Sequence, residues 1–252
     1  MRAVKLLFRA LASLALVMTV GSAHALLVSR DLDGDATNGP EAYYDTALDV
    51  TWLRAASTGS FRWSEAVAWA QQDRYGLSGW RLPTLRPVNG AAFNYDLSYN
   101  GTTDRGYGQT GSGWGTASEM GHLFYADLGV KGYCAPEGDP PPGCAFQTDF
   151  GLIYTRDFQN LSASTGYWTG LNYGGDPQSA WFFSTVYGYQ AGAGVYSSLY
   201  AFAVRPGDVA ASVPEPATHA LWVGGLALLL GVRRRTAFRC IRRIQGMGRV
   251  LR

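Results

Sequence analysis

The chain has 252 residues, of which 47% are hydrophobic and 16% are charged. This composition is typical of globular domains and excludes a disordered or collagen-like polymer. The formal net charge of +2 hides an uneven distribution: residues 26–212 hold 10 Lys and Arg against 18 Asp and Glu, a net charge of −8. Because the basic residues concentrate at the two ends of the chain, they form no patch on the domain, and we expect no nucleic-acid partner.

The first 25 residues have the pattern of a secretory signal peptide. Arg2, Lys5 and Arg9 precede an apolar run over residues 10–20, and the small-residue sequence Ala-His-Ala follows at 23–25. This is the order of a charged region, an apolar region and a cleavage site. The apolar run is shorter than the ~20 residues needed to cross a bilayer. We therefore expect cleavage at this site and export; an uncleaved N-terminal anchor is the alternative.

An acidic leader, residues 26–42, follows the expected cleavage site. Asp31, Asp33 and Asp35 surround Gly34, and alternate carboxylates on such a loop can converge on a hard cation such as calcium. The segment is not an EF-hand, because its glycine stands at the fourth place of the loop and Ala42 at the twelfth. A solvated polar leader without a cation is the alternative interpretation.

The exported domain, residues 43–209, begins with a predicted strand and a predicted helix. The partly alternating apolar run at 48–52 indicates a strand in a half-buried sheet. Apolar residues then recur at helical spacing, and this stripe consists of Trp63, Ala66, Val67 and Ala70. Ser60 is expected to cap the start of this helix and Gly76 to end it.

A glycine-rich loop over residues 95–114 alternates flexible glycines with aromatic, amide and charged side chains. Loops of this composition on a rigid scaffold often carry binding sites. The candidate ligand-binding residues are Tyr99, Asn100, Asp104, Arg105, Tyr107 and Trp114. A mobile insertion without a ligand is an equally open interpretation.

A second helix is predicted over 117–128, with Thr116 and Glu119 as a capping box and Gly129 as its end. Its apolar stripe consists of Met120, Leu123, Phe124 and Leu128. His122 on this helix is interpreted as a hydrogen-bonded structural histidine, and no catalytic constellation accompanies it. Three short aromatic strands are predicted at 167–169, 180–184 and 199–205. Two helices set among strands in this order indicate an α+β fold.

Cys134 and Cys144 bracket a proline-rich loop. In an oxidising compartment we expect them to form a disulfide. Metal binding by these thiols is the weaker alternative, because cysteines ten residues apart with one histidine in the domain do not supply a tetrahedral zinc site.

The C-terminal region has the order of a short motif, an apolar segment and a basic cluster. The motif contains Pro214, Glu215 and Pro216, an apolar stretch runs over 220–232, and Arg233, Arg234 and Arg235 follow. Residues 213–235 resemble the PEP-CTERM sorting signal. The resemblance implies transient insertion in the inner membrane of a Gram-negative bacterium, recognition by an exosortase, and release to the cell surface or extracellular matrix.

Two points about this tail stay open. A permanent single-pass anchor is the alternative to a processed sorting signal, although the apolar run is at the short edge of the spanning range. A basic extension, residues 236–252, also departs from the sorting-signal pattern. It is either an amphipathic helix on the inner leaflet or an adventitious addition.

The motif Gly-Trp-Arg-Leu-Pro-Thr at 79–84 stands between the two predicted helices. Together with Trp-Leu at 52–53, Tyr-Trp at 167–168, Ala-Trp at 180–181 and Ala-Val-Arg at 203–205 it resembles the Lcl C-terminal domain family. The resemblance implies a C-type-lectin-like architecture, similar to that of formylglycine-generating enzyme: a twisted antiparallel sheet with two helices, long glycine-rich loops and neighbouring chain ends. Trp52, Trp80, Trp168 and Trp181 are expected in the core, and Arg81 is expected to satisfy buried carbonyls or a carboxylate.

Fold alone does not determine function. Export together with an aromatic, glycine-rich domain favours a non-enzymatic surface or biofilm-matrix protein that binds exopolysaccharide or another envelope component. A structural or protein-binding module is the alternative, and a hydrolase acting through carboxylates is a third reading. No catalytic residue is predicted from the sequence, and no cofactor other than the calcium considered above.

Overall fold

The computed structural model describes residues 27–137 and 143–209. The predicted signal peptide, sorting signal and basic extension lie outside the described residues. Within these ranges the chain is mostly β structure with two short helices, which confirms the α+β prediction. None of the helices in this part of the chain has the length and apolar character needed to cross a bilayer.

The strands of the described ranges are β1 Leu27–Arg30, β2 Ala42–Asp45, β3 Val50–Leu53, β4 Ser60–Phe61, β5 Leu97–Ser98, β6 Arg105–Tyr107, β7 Cys134–Glu137, β8 Gly143–Phe146, β9 Gly166–Tyr173, β10 Asp176–Ser184, β11 Tyr189–Gly194, β12 Leu199–Tyr200 and β13 Val204–Pro206. The helices are α1 Trp63–Ala70 and α2 Glu119–His122, and α2 continues into a π-helical turn, Leu123–Asp127.

Two sheets and a hairpin organise these strands. A four-stranded antiparallel sheet has the order β1-β2-β3-β13. A seven-stranded mixed sheet has the order β4-β12-β9-β10-β11-β6-β5, with parallel pairs β12–β9 and β5–β6. The segment 199–205, predicted as one strand, is two strands in different sheets, because the buried residues 201–203 carry the chain from one sheet to the other.

The ends of the domain meet in the four-stranded sheet. Part of the predicted acidic leader belongs to the fold, because β1 pairs with β2 along its whole length. The Arg30 guanidinium donates to both carboxylate oxygens of Asp208, at 2.6 and 2.7 Å. The described chain therefore enters and leaves the domain on the same sheet.

The first helix forms where its apolar stripe predicts it, but its ends differ from the expectation. Arg62 is the N-cap residue, and its backbone N–H donates to Glu65 Oε2 at 3.0 Å, whereas Ser60 lies in β4. The helix ends at Ala70, well before Gly76. The Arg74 side chain donates to the carbonyls of Trp69 and Ala70, so the free carbonyls of the last turn are satisfied without a glycine.

The second helix buries its predicted stripe completely, and Gly129 follows it with a φ of +65°. Its cap differs from the expectation: Ser118 Oγ accepts from the Gly121 N–H at 3.1 Å, and Thr116 instead accepts from Arg86. Glu119 does not close a capping box, because its carboxylate is paired with Arg81.

The core contains the tryptophans that the sequence placed there. Trp52, Trp80, Trp168 and Trp181 are all buried. The predicted disulfide is also confirmed: it joins Cys134 to Cys144 across the hairpin β7–β8, with the two Cα atoms 4.9 Å apart.

Candidate functional site

A cleft of about 720 Å³ opens on the surface beside α1. Its walls come from the segment 33–41, the end of β3 with residues 54–58, the turn 69–75 after α1, and residues 159–160. Backbone bonds fix the last wall, because Ala56 N–H donates to the Gln159 carbonyl at 3.0 Å and Gln159 N–H donates to the Arg54 carbonyl at 2.9 Å. The cleft is therefore built from four chain segments, and backbone hydrogen bonds join two of them.

Two aromatic side chains lie in the cleft. The Arg74 guanidinium covers Trp69, with its carbon 4.4 Å from the ring centroid. Tyr75 is 47% exposed and has a φ of +54°. This left-handed conformation costs a non-glycine residue about 1–2 kcal/mol, and such backbone strain clusters at binding sites. Tyr75 is therefore held in an unfavourable conformation that places it at the cleft.

Polar groups surround these rings. The half-buried Arg54 guanidinium donates to the carbonyls of Pro40 and Asp157, at 3.2 Å each. The exposed polar side chains of the lining are Asp33, Asn38, Thr58, Gln72, Gln159 and Asn160. Amide, hydroxyl and carboxylate groups beside an exposed ring suit a ligand that presents both apolar faces and many hydroxyls.

The acidic cluster at the rim differs from the predicted one. Carboxylate oxygens of Asp31, Asp33 and Glu41 lie within 4.8 Å of one another. Asp35 instead accepts from the Thr37 hydroxyl at 2.6 Å and the Thr37 N–H at 3.0 Å, and these bonds lower the pKa of Asp35. The structure thus replaces Asp35 by Glu41 as the third carboxylate. Exposed acidic groups often cluster without a cation, so the cluster alone assigns no calcium.

Two of the residues predicted to bind a ligand in the loop 95–114 are buried. Trp114 lies in the core, where its indole N–H donates to the Thr103 carbonyl at 2.8 Å. The buried Asp104 carboxylate accepts from the backbone N–H groups of Val88 and Asn94, at 2.8 and 2.7 Å. Both side chains hold the loop against the domain and are almost fully buried, and ligand binding by Trp114 and Asp104 stays a prediction.

The other residues of the predicted set lie at or near the surface. Tyr99 stacks on Tyr107 with the ring centroids 5.8 Å apart, and burial raises the pKa of Tyr107 to about 12. Arg105 donates to the Tyr189 hydroxyl at 3.2 Å and lines a groove of about 310 Å³ on the seven-stranded sheet. Asn100 Oδ1 closes a turn by accepting from Thr102. The loop therefore contributes Arg105 to a second, smaller groove whose other residues lie on β9, β10 and β11.

The Trp-Arg-Leu-Pro motif has the structural role that the sequence indicated. Trp80 is buried, and the backbone of Arg81 pairs with Val204. The Arg81 guanidinium donates to both Glu119 oxygens at 2.8 and 2.7 Å and to the Leu82 carbonyl at 3.0 Å. These groups are occupied with one another and do not form a site.

A buried cluster was not recognised in the sequence. Asp45, His122 and Asp127 each place one side-chain N or O atom within 4.8 Å of the others. Burial, followed by the charge of Asp45, raises the pKa of Asp127 to about 8. His122 was expected to be fully hydrogen-bonded, but within the described residues only Nδ1 has a partner, the Gly115 carbonyl at 3.0 Å.

Sequence reasoning also missed the cleft. Its residues come from four separate segments between Asp33 and Asn160, and none of them forms a recognisable motif. One local signal was available: Tyr75 directly precedes Gly76, at the position where a helix was expected to end.

A comparison of the chain with family models, curated proteins and solved structures finds no match.

Proposed function

We propose that this chain is an exported surface or matrix protein of a Gram-negative bacterium whose domain binds polysaccharide in the cleft beside α1. The observation that carries the proposal is Tyr75, which is strained and half exposed among polar side chains of the cleft. The cleft volume of about 720 Å³ lies within the roughly 300–1,000 Å³ of ligand sites.

The chemistry of the lining supports a sugar. Sugar rings have C–H faces that pack on an aromatic ring and hydroxyls that both donate and accept hydrogen bonds. Tyr75 offers such a ring, and Gln159 and Asn160 offer amide donors and acceptors. The C-type-lectin-like architecture expected from the Lcl resemblance agrees with a binding role.

The two ends of the chain support export. The signal-peptide pattern at 1–25 would direct the chain out of the cytoplasm. The segment 213–235, with the motif Pro-Glu-Pro, would hold it in the inner membrane until an exosortase removes the tail. A cleaved protein would then meet extracellular polysaccharide.

The test is glycan binding by the full-length chain, purified in detergent, against a glycan array and the exopolysaccharide of the source bacterium. Tyr75→Gly is the informative variant, because glycine adopts a φ of +54° without strain. We expect it to weaken binding tenfold or more, about 1.4 kcal/mol, without lowering the unfolding temperature. Tyr75→Phe retains the ring and is the matched control.

Two further variants separate the candidate locations. Tyr107→Ala alters the loop 95–114, where Tyr107 packs on Tyr189 of the smaller groove, and should leave binding unchanged if the cleft is the site. Asp33→Ala should abolish any calcium dependence if the carboxylates at the rim hold a cation. Binding that is lost in Tyr107→Ala but retained in Tyr75→Gly would move the site to the loop. A wild-type chain that binds no glycan, with or without calcium, refutes the proposal.

A hydrolase is a second candidate, favoured by the carboxylates of Asp33 and Glu41 in the same cleft. One carboxylate oxygen of each lies within 4.8 Å of the other, and a pair of neighbouring carboxyl groups is the catalytic equipment of most glycosidases. Release of reducing sugar from the bound polysaccharide, lost in Asp33→Asn, would support this activity. Binding without turnover supports the non-enzymatic function.

A protein-binding module is a third candidate. Exposed Phe146 and Tyr187 both pack on Tyr133 beside the disulfide hairpin, with ring centroids 5.0 and 5.6 Å from that of Tyr133. An exposed aromatic surface of this kind suits contact with another protein. Loss of partner binding in Phe146→Ser, with glycan binding absent in the wild type, would favour this function.

A further inference from the structure

Three side chains capable of binding a metal converge inside the domain, away from the cleft. Asp45 stands at the end of β2, His122 ends α2, and Asp127 ends the π-helical turn. These residues are 0%, 7% and 2% exposed, respectively. One ligand atom from each lies within 4.8 Å of the other two.

The local structure aims the histidine at the carboxylates. His122 Nδ1 lies 3.0 Å from the Gly115 carbonyl, and a carbonyl only accepts hydrogen bonds, so Nδ1 carries the proton. In the neutral ring Nε2 therefore holds a lone pair. Nε2 lies 3.9 Å from Asp127 Oδ1 and has no hydrogen-bond partner.

The π-helical turn explains how two residues five positions apart share a face. On a regular α-helix such residues are rotated by about 140° from each other. The Leu128 N–H donates to the Leu123 carbonyl, an i to i+5 bond that widens the turn, and π turns occur frequently at functional sites. The widened turn brings Asp127 back over His122.

The convergence of these acceptors favours a positively charged ligand. Asp45 Oδ2, both oxygens of Asp127 and His122 Nε2 are buried and have no hydrogen-bond partner in the described part of the chain. Arg156 forms no ion pair with Asp127 within the described residues. Two neighbouring buried carboxylates disfavour each other's ionised form, and a cation between them would balance the charge of both.

We propose that Asp45, His122 and Asp127 bind one divalent transition-metal ion of the Zn²⁺ class. The 3.9 Å between Nε2 and Oδ1 is too long for a hydrogen bond. It is near the roughly 3.3–3.5 Å between ligand atoms that tetrahedral zinc would require with its bonds of ~2.0–2.2 Å. An imidazole among the ligands favours zinc, copper, iron or nickel over calcium, magnesium and manganese, and two carboxylates balance the ion's charge.

The bound ion ties the end of β2 to the second helix. Because its ligands are buried, the chain acquires the metal as it folds. The site is separate from the glycan cleft and from the acidic cluster at its rim, so its occupancy does not depend on whether the domain binds sugar.

The experiment uses the full-length chain in detergent, unfolded in guanidinium chloride with a chelator and refolded with or without one equivalent of Zn²⁺. We expect one zinc per chain by elemental analysis and an unfolding temperature raised by about 5 °C or more. Refolding with Co²⁺ should give visible absorption bands of a histidine-ligated ion.

The informative variant is Asp127→Asn, which preserves shape and should weaken zinc binding about 100-fold or more. Asp33→Asn, which alters the surface carboxylate cluster, is the matched control and should retain the zinc. Circular dichroism of aromatic side chains verifies folding, and His122→Gln replaces Asp127→Asn if the latter does not fold. The proposal is overturned if the wild type binds no stoichiometric zinc or if its unfolding temperature is the same with and without zinc. It is also overturned if zinc is lost in Asp33→Asn and kept in Asp127→Asn.

Discussion

Removing the Arg81 side chain should destabilise the domain strongly, although Arg81 belongs to no site. The Glu119 carboxylate accepts two bonds from Arg81 and one from the Thr84 N–H at 2.7 Å, and its side chain is only 10% exposed. In Arg81→Met this carboxylate would remain buried with a single backbone donor. The ion pair joins the segment 81–84 to α2, so its loss affects the packing between them.

The expected magnitude follows from that burial. Breaking a buried ion pair costs about 3–5 kcal/mol, and because Arg81 itself is partly exposed we expect about 3 kcal/mol. For a domain of this size each kcal/mol lowers the unfolding temperature by about 2–4 °C, which gives a decrease of about 6–12 °C. Glu119→Gln keeps an acceptor for the Thr84 N–H. The double variant with Arg81→Met and Glu119→Gln should lose about 2 kcal/mol less stability than the sum of the losses in the two single variants.

The assay is urea unfolding followed by circular dichroism, with Arg30→Met as the matched control. Arg30 also binds a carboxylate with two bonds, but Asp208 is 34% exposed, so this substitution should cost less than about 1 kcal/mol. The reasoning from burial would be refuted if Arg81→Met and Arg30→Met lowered the free energy of unfolding equally, or if Arg81→Met lowered it by less than about 1 kcal/mol.

Two further predictions concern single positions. Gly106 has a φ of +120°, and a Cβ there would overlap the Ser98 carbonyl, so Gly106→Ala should cost about 3 kcal/mol in urea unfolding. Gly111→Ala, with a positive φ but open space around it, should cost about 1 kcal/mol, and equal losses would contradict the overlap. Burial raises the pKa of Tyr167 to about 12, whereas the unfolded phenol ionises near pH 10. Between pH 10 and about 12 the folded state therefore retains the Tyr167 proton that the unfolded state loses. The free energy of unfolding should fall with rising pH in this range by about 1.4 kcal/mol per pH unit. Tyr167→Phe should reduce this pH dependence by that amount, and an unchanged pH dependence would contradict the assignment of the raised pKa to Tyr167.

The elements that depend on neighbouring residues were predictable from the sequence. The stripe of α1 needs only residues three and four apart, and so does the stripe that the second helix buries. The disulfide needs two cysteines ten residues apart, and the tryptophan core needs only the preference of large rings for burial. The helix ends were less predictable. Arg74 binds carbonyls at the end of α1 where a glycine was expected, and Ser118 caps the second helix while Arg81 occupies the Glu119 carboxylate.

The positions of polar groups were decided by the tertiary structure. Composition alone made Trp114 and Asp104 look like ligand-binding residues, whereas packing of the loop on the core buries both. Glu41 joins Asp31 and Asp33 because the chain turns back through β2, and Asp35 is diverted to Thr37.

The sequence by itself therefore determined the α+β class, both helical stripes, the disulfide and the structural role of the Trp-Arg-Leu-Pro motif. Only the tertiary structure decided that four distant segments enclose the cleft at Tyr75, and that Asp45 meets His122 and Asp127. The physical reason is range. Periodicity and turn chemistry act over a few residues. A site is formed by contacts between segments, and the separation of two segments along the chain does not determine whether they meet in space.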